Sequence, residues 1–112
     1  MSQFSQFKLV EISQGNFSLL LTDFDQQAHV FAEYGYDAGG YAWSGVAEAL
    51  VKGYMLPDLA KVIQFDPESS MFCAYSRNLE ALEKLAELLF KASQESEFLR
   101  QAIEAADPEG MD

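Results

Sequence analysis

A chain of 112 residues with 49% hydrophobic content is long enough to bury a core without staples and too apolar to be a disordered acidic tail. Eighteen acids against seven bases give a net charge of −11, which disfavours phosphate backbones and anionic membrane surfaces as partners. The single cysteine, Cys73, excludes an intrachain disulfide, and no apolar run approaches the ~20 residues that span a bilayer.

The acids are spread over both halves of the chain, seven up to residue 60 and eleven beyond it, so acidity belongs to the whole surface. Such a surface keeps a protein soluble, and it also attracts a basic partner over long range. One domain over residues 1–112 is expected, with 107–112 a frayed tail. The start, MSQFSQFKLV, lacks a basic segment followed by an apolar one, so it does not read as a secretory leader, and a reducing, cytoplasmic setting is expected.

In chain order, Phe7 to Ile12 and Phe17 to Asp23 are strand candidates, the second with Phe17, Leu19 and Leu21 on one face. Ser13-Gln14-Gly15-Asn16 between them is turn chemistry for a hairpin. Asp23 or Asp25 can cap a short helix with Ala28, Phe31 and Ala32 on one side, although HVFAEY also fits a strand. The stretch YGYDAGGYAWSGVAEALV, Tyr34 to Val51, holds three of the five tyrosines, the only tryptophan and four of the seven glycines. Gly39-Gly40 can adopt positive φ or let the backbone approach a neighbour closely. Trp43, Val46, Ala47, Leu50 and Val51 form a core-facing helical stripe, with Gly53 suited to its end and Pro57 beyond. Trp43 is expected to be buried. The rings of Tyr36 and Tyr41 suit either a core anchor or a rigid binding loop.

Leu59 to Phe65 and Met71 to Tyr75 are expected to form a second hairpin around Asp66-Pro67-Glu68-Ser69-Ser70. The run Met71–Tyr75 is apolar at alternate and intervening positions, as in a strand covered on both faces. Asn78 can cap a helix carrying Leu79, Leu82, Leu85, Ala86 and Leu89, with Glu80–Lys84 and Glu87–Lys91 paired outside. A last helix carries Phe98, Leu99, Ala102 and Ile103 and stops at Asp107-Pro108. Hairpin, helices, hairpin, helices is an α+β order: a mostly antiparallel sheet built from two hairpins with helices packed on it.

Little in the chain points to catalysis. An apolar strand would raise the pKa of Cys73 and leave it inert, and His29 has Glu33 one helical turn away as an ordinary surface neighbour. No histidine–cysteine cluster supplies metal ligands, and no glycine loop with a lysine cradles phosphate. Asp66 with Glu68, and Asp23 with Asp25, could do acid–base work or bind calcium, yet turn and cap roles also account for them.

Two blocks carry a resemblance. GYDAGGYAW followed by a helix, then FDPESSMFCAYS followed by a leucine-rich helix, resembles the immunity protein 51 family of bacterial polymorphic toxin systems. Gly35-Tyr36, Gly40-Tyr41 and Trp43 match the first block, with Gly39 where the pattern has asparagine. Phe65-Asp66, Glu68, Phe72 and Tyr75-Ser76 match the second, and the likeness spans residues 6 to 91. The resemblance implies a cytoplasmic protein that binds and neutralises a cognate toxin, with no catalysis, no metal and no cofactor. The toxin-binding residues expected are Glu33, Tyr34, Tyr36, Asp37, Tyr41, Asp66 and Glu68, facing a basic toxin domain, with neither nucleic acid nor membrane as partner. Oligomeric state is left open. The alternatives are an acidic, non-catalytic inhibitor of a housekeeping enzyme such as a ribonuclease, and a small enzyme using Asp66 and Glu68.

Overall fold

A computed structural model describes residues 7–25 and 27–111. Residue 6, where the resemblance begins, and Asp112, the end of the expected tail, lie outside them.

Strands β1 (Phe7–Ser13) and β2 (Asn16–Leu21) form the first hairpin, with Phe7 opposite Leu21 and Glu11 opposite Phe17. The turn is Gln14-Gly15, and Gly15 takes φ 78°, which only a glycine accepts without strain. Helix α1 (Ala28–Glu33) follows, then α2 (Gly40–Tyr54) and the short α3 (Pro57–Ala60). The second hairpin is β3 (Gln64–Phe65) with β4 (Phe72–Ser76), and the chain closes with α4 (Leu79–Gln94), α5 (Ser96–Ala105) and a 3-10 helix, Pro108–Met111. The sheet order is β1-β2-β4-β3 and every neighbouring pair is antiparallel, so the two hairpins join through β2 and β4. The fold is α+β, two hairpins with helices packed on the sheet.

The core lies between one sheet face and helices α2 and α4. Leu19, Leu21, Phe72 and Ala74 alternate toward it along their strands, as the two-residue period of a strand requires. Trp43 is 1% exposed at the head of the α2 stripe, with Phe31 edge-on at 5.3 Å and Phe7 at 6.2 Å between ring centroids. Its Nε1 is buried without an acceptor among the described residues. Asn78 caps α4 as expected, its Oδ1 accepting from Ala81 N at 3.1 Å, and Leu82, Leu85, Ala86 and Leu89 are buried.

Several expectations are corrected. Only Gln64–Phe65 of the stretch from Leu59 is strand, because Pro57, with φ already helical, starts α3 just before it. The cap of α1 is Gln27 in a left-handed conformation, not Asp23 or Asp25. Gly53 lies inside α2, which ends where buried Met55 turns extended. Leu79 is exposed at the first turn of α4, and Lys84 and Lys91 make no ion pairs among the described residues; Lys91 Nζ instead sits 4.6 Å from the Phe98 ring centroid. The strand Met71–Tyr75 has helices on one face only, Tyr75 being exposed. The tail expected to fray turns, through Met111, into a 3-10 helix, with Met111 buried against Gly45 of α2.

Candidate functional site

The two sequence blocks meet in space. The loop from Tyr34 to Gly40 leads out of α1 and into α2, and its glycines do different work. Gly35, at φ 83°, closes α1: its N–H donates to Ala32 O at 3.0 Å, and Tyr36 N–H donates to Phe31 O at 3.1 Å. That is a Schellman C-cap, which needs a left-handed residue. Gly39 is extended and Gly40 helical, so neither takes the positive φ that the sequence allowed. Gly40 is there for close approach. A Cβ on it would lie 1.8 Å from Glu68 O and 2.4 Å from Met71 O, and its N–H donates to Ser69 O at 3.3 Å. The start of α2 is thereby pressed on the β3–β4 turn, itself closed by Glu68–Met71 backbone bonds of 2.8 and 3.1 Å.

The seven expected contact residues divide into two groups. Asp37, Tyr41, Asp66 and Glu68 come from the docked loop and turn, and all four side chains are exposed. None of the three carboxylates has a hydrogen bond or ion pair among the described residues. Asp37, Gly39, Tyr41 and Ser69 border a shallow cavity of ≈ 300 Å³. Glu33 and Tyr34 face α5 instead. Arg100 grips the Glu33 carboxylate with two bonds of 2.9 Å, and Tyr34 Oη donates to Glu104 Oε2 at 2.6 Å. The Arg100 hydrogen bonds hold the Glu33 pKa below its usual value, and the bond to Glu104 pushes Tyr34 up to about 12. Tyr36 is half-buried against the core. Arg100, Glu104, Ser69 and Met111 escaped the sequence reading, since nothing local marks a contact between residues some 30 to 70 positions apart.

The residues weighed for catalysis lie on different elements, Cys73 on β4 and His29 on α1. Cys73 is buried, with its pKa raised first by burial and then by the charge of Asp66. His29 is exposed on α1, and no group of three or more metal-ligating side chains occurs among the described residues. No helix is long and apolar enough to cross a membrane among those residues.

The sequence model of the immunity protein 51 family matches residues 7–108. The chain belongs to the immunity protein 51 family. No curated protein and no solved structure matches it. The matched range takes in α5 and so extends past both blocks, and most family-pattern residues here have structural duties: Gly35 caps, Gly40 permits docking, and Trp43 and Phe72 fill the core. Within this immunity protein 51 chain, Tyr41, Asp66 and Glu68 are the pattern residues left facing solvent with little internal work; Tyr75, also exposed, lies on the sheet.

Proposed function

We propose that this chain is a cytoplasmic immunity protein of a polymorphic toxin system, which binds a cognate toxin domain by direct contact and neutralises it without catalysis or a cofactor. The observation that carries the reading is the docked loop and turn, which bring the segment of Asp37 and Tyr41 against the turn that carries Asp66 and Glu68, three exposed carboxylates without a partner among the described residues. Unpaired acids around a half-exposed tyrosine suit a basic partner: the charges steer approach, and the ring supplies contact area that becomes desolvated. Glu33 and Tyr34, already engaged by α5, position the loop and contribute less to binding.

The test is co-expression with the toxin encoded by the neighbouring gene. The wild-type chain is expected to restore growth, and the double variant Asp37→Lys/Glu68→Lys, folded by circular dichroism, is expected to lose most of that protection. Full protection by the double variant would remove this surface from the interface, and no protection by the wild type would overturn the function.

A further inference from the structure

Among the described residues the helices cover one face of the sheet and none packs on the other, although Ser18 and Cys73 on that face are buried. Along the open face Val10 and Ile12 of β1, Leu20 of β2 and Tyr75 of β4 form an apolar strip, with Ile12 65% and Tyr75 44% exposed. Ile12 and Tyr75 line one groove of ≈ 650 Å³.

The register shows which partner fits. One row runs across the face from Lys8 to Leu20 to Cys73, whose carbonyl accepts from Asp66 N at 2.9 Å. Lys8 thus stands at the β1 edge and Asp66 at the β3 edge, about 14 Å apart at the usual strand spacing. Neither has an ion pair among the described residues. A basic charge at one edge and an acidic one at the other make the row self-complementary. When two such faces meet about a two-fold axis parallel to the strands, the edges exchange, and each Lys8 lies over the partner's Asp66. With Arg77 at its end and Glu68 two residues beyond Asp66, the face holds two bases and two acids in a chain of eighteen acids to seven bases. It is where two copies, each of charge −11, can meet without stacking acid on acid.

We propose that the open sheet face is the contact between two copies of this chain, arranged as a two-fold sandwich with Lys8–Asp66 pairs at both rims. This goes beyond toxin binding and is tested without the toxin. Sedimentation of the purified chain over a concentration series is expected to show a monomer–dimer equilibrium. Ile12→Lys should weaken the dimer by about tenfold or more, as a charge placed on an apolar contact does, while leaving the melting temperature of this exposed position unchanged. Lys8→Asp and Asp66→Lys should each weaken it, and the double exchange should restore it. A monomer at every concentration, a dimer indifferent to Ile12→Lys, or a double exchange that fails to restore what the single changes lose would each overturn the proposal.

Discussion

Gly40 and Gly45 lie five residues apart in one helix, and a methyl group added to either would collide with something, yet the two collisions differ in kind. At Gly40 the obstacles are backbone carbonyls of Glu68 and Met71, at 1.8 and 2.4 Å, fixed by their own turn. At Gly45 the obstacle is Met111 Cγ at 2.3 Å, part of a flexible side chain near the chain end. Gly40→Ala should therefore cost on the order of 3 kcal/mol and undock the loop from the turn. Gly45→Ala should remain within about 1 kcal/mol of wild type, since Met111 can swing aside and alanine favours the helix. Urea unfolding of the two variants checks this, and equal losses would show that the distinction between rigid and flexible neighbours does not hold here.

The clasp between α1 and α5 gives the loop its footing. Arg100 of α5 holds Glu33, and Glu104, one turn on, holds Tyr34, so the start of the loop is tied to the last helix from two adjacent residues. Because the folded Glu33 pKa is depressed, its contribution is complete above the unfolded carboxylate value of about 4.3 and is lost as pH falls through the lower folded value. The melting temperature of Glu33→Gln should fall below wild type at neutral pH, and the gap should close once pH drops below the ordinary carboxylate range. A gap that persists unchanged in acid would mean that Glu33 acts by packing alone. None of this clasp was legible in the sequence, because ion pairs across 67 residues depend on how α5 docks. Elements with local signals were legible. The leucine stripe of α4, its Asn78 cap and the Gly15 turn follow from periodicity and backbone chemistry. The strand expected from Leu59 shrank to two residues because Pro57 opened a helical turn, a local signal that the apolar run overshadowed. Gly39-Gly40 was legible as a place of close approach, but what approaches it was not.

Taken as a whole, the molecule carries its charge of −11 unevenly. The open sheet face is apolar along Val10, Ile12, Leu20 and Tyr75, and at its β3 edge Asp66 borders the docked loop and turn, whose Asp37 and Glu68 carboxylates have no partner among the described residues. A second copy is proposed for the first surface and a basic toxin for the second, and Asp66 lies at their shared border. Long-range attraction accelerates encounter and is screened beyond about 8 Å at physiological ionic strength, while desolvated contacts such as a tyrosine govern how long a complex lasts. The most direct measurement is therefore the association rate with the neighbouring toxin, held inactive by mutation, across a salt series. The rate should fall steeply as salt rises, and Asp37→Lys/Glu68→Lys should slow it and flatten its salt dependence, while Tyr41→Ala mainly speeds dissociation. An association rate indifferent to both salt and charge reversal would contradict the account.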